Sequence, residues 1–285
     1  MSSSKHKDKP HKSTDSPSEE KLRVLCLHGY RQNGNTFKSK IGAFRKHGQK
    51  YCEFVFLSAP HVVQVPKSGE SSKDEDVILC QDDGDSSTTK STETDSPRSW
   101  WFNSEDRTFK GTNKNGPAYG FDETIRAVEQ AWELLGPFHG ILGFSQGACL
   151  VGLLCNLSSR GMTKIKPQFA VLAAGFRSGS LAHANYYEDL ISIPSLHIMG
   201  ETDEIIPIQM SKSLATCFEE PTFVEHLGGH YFAATTQQRP HYVEFFKKRL
   251  IEHLEQKELE REDAVIVDPL DSIPSTSANM SDDSD

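Results

Sequence analysis

The sequence predicts a doubly wound α/β fold, a mainly parallel sheet of about six strands with helices on both faces. Two observations carry this expectation. Short, continuous apolar runs recur along the chain, as strands buried on both faces require. Segments of helical period separate them, and that alternation is the signature of parallel crossover units. No internal repeat competes with this reading.

The elements follow in order. KLRVLCL (Lys21–Leu27), stopped by His28-Gly29, reads as the first buried strand, and Phe37–His47 as a helix. EFVFLSAP (Glu53–Pro60) is a second strand, closed by a proline that cannot donate to a ladder. Phe121–Leu135 places Phe121, Ile125, Val128, Trp132 and Leu135 on one helical face, and Gly136-Pro137 ends it. Strand Phe138–Leu142 runs into a corner at Ser145, and a helix follows from about Gln146 to Ser159. Phe169–Ala174 and Ser195–Met199 are further strands, with irregular or weakly helical chain at Leu181–Ile191 between them. Pro207–Phe218 reads as a helix, Thr222–Leu227 as a sixth strand, and Pro240–Glu255 as a closing amphipathic helix.

Charge and composition mark three segments as outside this domain. Residues 1–20 are rich in Ser, Lys and Pro and read as a disordered arm. Residues 67–99 hold nine acids and four bases in a low-complexity stretch, the expectation being a disordered loop insertion. Residues 256–285 hold nine acids and two bases and read as a disordered acidic tail. The net charge of −9 therefore belongs to these segments, and the remaining core, residues 21–255 without the insertion, comes to about +3.

This distribution excludes several classes. Nothing forms a nucleic-acid surface. No apolar run is long enough for a membrane span, and residues 1–20 lack the apolar core of a secretory signal. A cytoplasmic chain is expected, with a nuclear pool left open as the alternative, for which the lysines of the arm are too dilute to argue. Six cysteines without CxxC pairs predict neither a disulfide framework nor a structural metal.

The chemistry is expected at Gly-Phe-Ser-Gln-Gly (Gly143–Gly147). A serine between two glycines at a strand-to-helix corner is the nucleophile elbow, in which the glycines make room for a strained backbone that points the hydroxyl outward. A serine hydroxyl needs a base, an acid to orient that base, and donors for the oxyanion. Asp203 follows the fifth strand and His230 the sixth, in the chain order Ser, acid, His that such elbows use. Ser145, Asp203 and His230 are therefore the candidate catalytic residues. Glu201 and Glu204 read as solvated loop acids, His226 as a strand residue, His241 as a surface residue, and His28, His61 and His197 as structural.

The backbone N–H groups of Gln146 and Tyr30 are the candidate oxyanion hole, one after the nucleophile and one in the loop after the first strand. This requires the first strand to lie beside Phe138–Leu142 at the switch point of the sheet. Arg31 and Gln32 follow in that loop, either orienting a polar substrate group or making turn hydrogen bonds. Trp100, Trp101 and Phe232 are candidate walls of a substrate pocket, with ordinary core packing as the alternative.

LCLHGYRQN, LSAPH (Leu57–His61), SWWF, GPFHGILGFSQGA, GETDEIIP and GGHYF together resemble the FSH-type serine hydrolases, a branch of the α/β-hydrolase fold. The resemblance spans about residues 21–250. It implies a carboxylic-ester hydrolase acting on small-molecule alkyl or acyl esters, with medium to long acyl chains and no cofactor. It implies thioesterase activity as a variant of the same site, and its nucleophile, acid and base fall on Ser145, Asp203 and His230. A different class, a non-catalytic interaction protein that keeps a hydrolase core, would use the acidic segments or Ala264–Val267 as docking elements. The complete triad argues against it. Peptidase or lipase activity on the same fold is not excluded by fold alone.

Overall fold

The computed structural model describes residues 20–64 and 96–266, without the side chains of 264–266. The arm up to residue 19, the insertion between 65 and 95, and the tail from 267 lie outside the described residues, as does Cys80.

Six strands form one parallel sheet: β1 (Leu22–Leu27), β2 (Cys52–Leu57), β5 (Gly140–Phe144), β6 (Phe169–Ala173), β7 (Ser195–Gly200) and β8 (Pro221–His226). Their spatial order is β2-β1-β5-β6-β7-β8. The chain thus leaves β1 toward one edge and β5 toward the other, and the switch point falls between these two strands. Leu27 of β1 pairs with Gly143 of β5, so both loops open on the same end of the sheet.

Side-chain alternation assigns the two faces. Leu25, Leu27, Ile141, Ala170 and Leu172 pack into a core with α3 (Phe121–Leu135), α4 (Gln146–Ser159) and α5 (Ile208–Ala215). Leu22, Val24, Cys26, Leu142, Val171 and Ile198 pack into the other, beneath α1 (Gly34–Lys40), α2 (Gly42–Gly48) and α6 (Arg239–Ile266). Twelve of the fourteen residues of α4, Gln146 through Leu157, are buried, so this helix lies at the centre of its layer. Each large side chain taken wholly out of water there contributes roughly 1.5–3 kcal/mol.

The structure departs from the sequence reading in three places. The helix expected over Phe37–His47 is two helices that meet at Ile41, whose ψ of 25° breaks the first. The α1 start is fixed by Asn33, whose side chain accepts from the Thr36 N–H at 2.9 Å. Of the two readings given for Leu181–Ile191, irregular or weakly helical, the structure takes the second, with a 3-10 segment at Leu181–Tyr187. The insertion ends earlier than expected: β3 (His61–Val62) and β4 (Arg98–Ser99) pair antiparallel and close its stem. Pro97 O accepts from Val63 N, and Arg98 exchanges backbone bonds with Arg31 and Gln32, tying the stem to the loop after β1.

The third departure corrects the tail. α6 continues to Ile266, so residues 256–266 are helical. Their acidity suggested solvation, but Gln, Lys, Glu, Leu, Arg and Ala are also strong helix formers. Gln256 bonds Glu260 one turn on, and Lys257 pairs with Glu20 at the start of the domain. No helix among the described residues is long and apolar enough to cross a membrane.

Three fully or almost fully buried histidines are held neutral. Burial pushes His28 and His183 down to about 4 and His197 to about 3. In the unfolded chain they protonate near 6.5, so the unfolded state takes up protons first as pH falls. Stability is therefore expected to be level above about pH 7.5 and to decline as pH falls from about 6.5 toward 4, with His28 alone contributing on the order of 3 kcal/mol. Denaturant midpoints measured at intervals over this range check the expectation; a midpoint that stays constant down to pH 4.5 contradicts it.

Candidate active site

Ser145 sits between the last residue of β5 and the first turn of α4. Its backbone adopts φ 51° and ψ −115°, a conformation that L residues rarely take. Its N–H donates to Ala173 O at the end of β6, and its carbonyl accepts from Cys149 N within α4. The flanking glycines are required by close approach. A Cβ on Gly143 would strike the Gly147 carbonyl, and a Cβ on Gly147 would strike the Leu27 and His28 carbonyls of the β1 end. Small residues thus let α4 start directly against the sheet, and Ser145 is left 9% exposed at the switch point.

Asp203 lies in the loop after β7. Its Oδ1 accepts from the amides of Ile205 at 2.9 Å and Ile206 at 2.7 Å. Those bonds hold the carboxylate so that Oδ2 accepts from His230 Nδ1–H at 2.8 Å. Asp203 is buried, and its side chain is almost wholly covered. His230 follows β8; with its Nδ1 proton committed to Asp203, its Nε2 lone pair faces Ser145 Oγ at 3.0 Å. Its ring lies against Phe144, with centroids 5.0 Å apart. The three residues singled out in the sequence therefore meet at one point, each from the end of a different strand.

Their rivals stand elsewhere. Glu201, Glu204 and His241 are exposed. His226 is buried, accepts from Gly228 N at 3.2 Å and packs on Tyr231. His61 donates to Gly120 O, and His197 pairs with Ser195 Oγ.

His28 joins the first-strand loop to its surroundings. Its Nε2 accepts from Ala59 N–H at 2.9 Å, which leaves Nδ1–H to donate to Gly29 O at 2.7 Å. Its carbonyl accepts from Trp100 Nε1–H at 2.7 Å. Gln32 Oε1 accepts from Gly29 N, the turn hydrogen bond anticipated for it.

The pocket assignments need correction. Trp100 and Trp101 are both 0% exposed and form part of the α3/α4 core. Trp101 meets Phe109, Phe121 and His183 edge to face. Phe232 packs on Phe37 and Phe44 in the opposite layer, beneath α1 and α2. Aromatic character alone did not separate a wall from a core position. An open cavity of ≈ 550 Å³ lies instead beside the β1 loop, lined among others by Tyr30, Arg31, Phe102 and Phe109. Ser145 and His230 are not among its lining residues.

One structural role escaped the sequence reading. The Gln146 side chain is fully buried and clamps the 99–101 backbone: Oε1 accepts from Trp100 N at 3.1 Å and Nε2 donates to Trp101 O at 2.7 Å. The residue whose amide heads α4 is thereby bolted to the end of β4. Only its contrast with the apolar residues around it signalled this in the sequence. The bonds from Ile205 and Ile206 to Asp203 did have a signal, since an Asp opening a turn commonly accepts amides two and three residues on.

A family model described as serine hydrolase (FSH1) matches residues 17–242. An esterase of Anopheles gambiae is 57% identical over 242 residues, covering 85% of this chain and 83% of the relative. Esterase OVCA2 of Homo sapiens is 37% identical over 227 residues, covering 79% and 95%. Among solved structures, acyl-protein thioesterase 2 of Zea mays shares the fold, with a TM-score of 0.56 at 14% identity over 82% of this chain and 96% of that one. With an α/β-hydrolase fold and this breadth of matching sequence, the chain belongs to the FSH1 serine hydrolase family and is an esterase-type hydrolase.

Proposed function

We propose that the protein hydrolyses carboxylic esters through a Ser145–His230–Asp203 triad and an acyl-enzyme, on small alkyl or acyl esters with medium to long acyl chains. The observation that carries this reading is the continuous chain from Ser145 Oγ to His230 Nε2 (3.0 Å) and from His230 Nδ1 to Asp203 Oδ2 (2.8 Å). Chain length rests on the family resemblance.

His230 Nε2 takes the Ser145 proton as Oγ attacks the ester carbonyl. Asp203 holds the ring in the productive tautomer and stabilises the imidazolium that forms. Negative charge gathers on the former carbonyl oxygen, and the Gln146 and Tyr30 amides receive it. Supporting this, Gln146 is the first residue of α4, where an N–H has no intrahelical acceptor, and Tyr30 follows the strand adjacent to β5. The tetrahedral adduct collapses, and His230 protonates the departing alcohol. Water, deprotonated by the same His230, then attacks the acyl-enzyme and releases the acid. A thioester would pass through the same steps with a thiol leaving.

In turnover of p-nitrophenyl esters, Ser145→Ala is expected to lower kcat by about 10⁶-fold, to the level of residual binding effects. Undiminished turnover in that variant overturns the nucleophile assignment. Run on the wild type, a series of acyl lengths with a matched thioester separates long-chain from short-chain and ester from thioester preference.

Asp203→Asn keeps the shape but presents an amide to His230, favouring the wrong tautomer. Its expected effect is a kcat lower by about 10⁴-fold with little change in KM. A loss below tenfold means that Asp203 is not the orienting acid.

A further inference from the structure

The cavity beside the β1 loop has a definite construction. Tyr30 and Arg31 form one side of it, and the loop carrying Phe102, Arg107, Phe109 and Lys110 forms another. That loop is braced from within. Asn103, 5% exposed, donates through Nδ2 to Lys110 O at 2.8 Å and accepts at Oδ1 from Lys110 N at 3.0 Å. Asn113 Nδ2 donates to Ser104 Oγ at 3.0 Å. Phe109 is buried against Trp101 at 5.1 Å and Tyr30 at 5.6 Å. Gly111 lies against Ile206, whose amide holds Asp203. The loop is thus anchored both to the proposed oxyanion loop and to the loop that carries the acid.

The charge of the cavity is net positive, three cations against one carboxylate. Arg31, Arg107 and Lys110 line it, and none of them forms an ion pair with a carboxylate among the described residues. The acid among its lining residues is Asp106, whose Oδ1 is taken by Thr108 N at 3.1 Å and Thr108 Oγ1 at 2.8 Å. Over residues 20–64 and 96–266 the chain has 24 Lys and Arg against 23 Asp and Glu, so this local excess is not a sample of a basic surface. The backbones of Arg31 and Arg107 stand at φ 63° and 57°, in the left-handed region.

We propose that this cavity receives an anionic group, a carboxylate or a phosphate, carried by the ester that Ser145 attacks, with Arg31, Arg107 and Lys110 as its counter-charges. The inference rests on the esterase reading of the site and adds a substrate class to it. Tyr30 connects the two: its amide is the proposed oxyanion donor, and it also lines the cavity. The proposal requires that a substituent on the bound carbonyl reach the basic side across Tyr30.

The test compares charged and neutral esters of equal length by their kcat/KM ratio. p-Nitrophenyl hydrogen adipate against p-nitrophenyl hexanoate places a carboxylate on the acyl side. 4-Phosphonooxyphenyl hexanoate against 4-methoxyphenyl hexanoate places a phosphate on the alcohol side. At least one pair is expected to favour the charged ester by about tenfold at about 50 mM salt, and to lose that preference at about 0.5 M. The Arg107→Asn/Lys110→Gln double variant should bring the ratio toward one, and Lys110→Glu should bring it below one. Asn suits position 107 because it tolerates a left-handed backbone. Each ratio is taken within one protein, so a general loss of active enzyme cancels; where a variant fails to fold, the wild-type ratio and its salt dependence decide. Ratios near one for both pairs in the wild type, or a preference that survives in the variants, overturn the proposal. If Ser145→Ala abolishes turnover while the ratios stay at one, only the cavity assignment falls; if Ser145→Ala retains turnover, the esterase reading falls with it.

Discussion

The strained backbone of Ser145 is the constraint on which the surrounding structure depends. A residue at φ 51° and ψ −115° costs on the order of 1–3 kcal/mol relative to a relaxed conformation. The strain persists because its neighbours leave no alternative. The Ser145 N–H is held by Ala173 O, and α4, which begins at the next residue, is buried along almost its whole length. The Gly147 backbone is pressed against the carbonyls at the end of β1. Relaxing the corner would require α4 to withdraw from the sheet, and that exposes far more apolar surface than the strain is worth.

The same packing links parts of the chain that are distant in sequence. Gln146 fastens the head of α4 to the 99–101 backbone, Trp100 Nε1–H reaches His28 O, and His28 Nε2 accepts from Ala59 beyond β2. Four chain segments thereby share one buried hydrogen-bond network behind the serine. Neutrality of His28 suits this role, because a cation there would meet Ala59 N–H with a second donor. Asp203 and His230, the proposed acid and base, come from the other side, on the loops after β7 and β8. Parallel topology makes this convergence possible, since it gathers the carboxyl ends of β1, β5, β7 and β8 at one edge of the molecule.

Much of this architecture was legible in the sequence, for identifiable reasons. Strands buried on both faces leave unbroken apolar runs, and Gly-Phe-Ser-Gln-Gly joins two such signals at a corner with its own steric demand. Chain order and strand ends narrowed the choice to Asp203 and His230, the residues that the fold brings to Ser145. The rest depended on tertiary contacts that leave no local trace. β3 and β4 are two residues each, on either side of a long acidic segment, and neither has a period to detect. The acidity of residues 256–266 masked good helix propensity. Only packing reveals that Trp100 and Trp101 lie wholly in the core and that Phe232 leans, partly buried, on the opposite layer. Arg31, Arg107 and Lys110 look like scattered surface charges until the 102–113 loop folds against the β1 loop.

The central claim is that one serine, made nucleophilic by His230 and held in a strained elbow, forms a covalent bond to substrate. Its most direct measurement is peptide mapping by mass spectrometry after reaction with a fluorophosphonate, which phosphonylates an activated serine with loss of fluoride. The account predicts a single adduct, on the peptide containing Ser145, that fails to form when His230 is replaced by Ala. An adduct on a different residue, or labelling of Ser145 that is equally fast without His230, would contradict it.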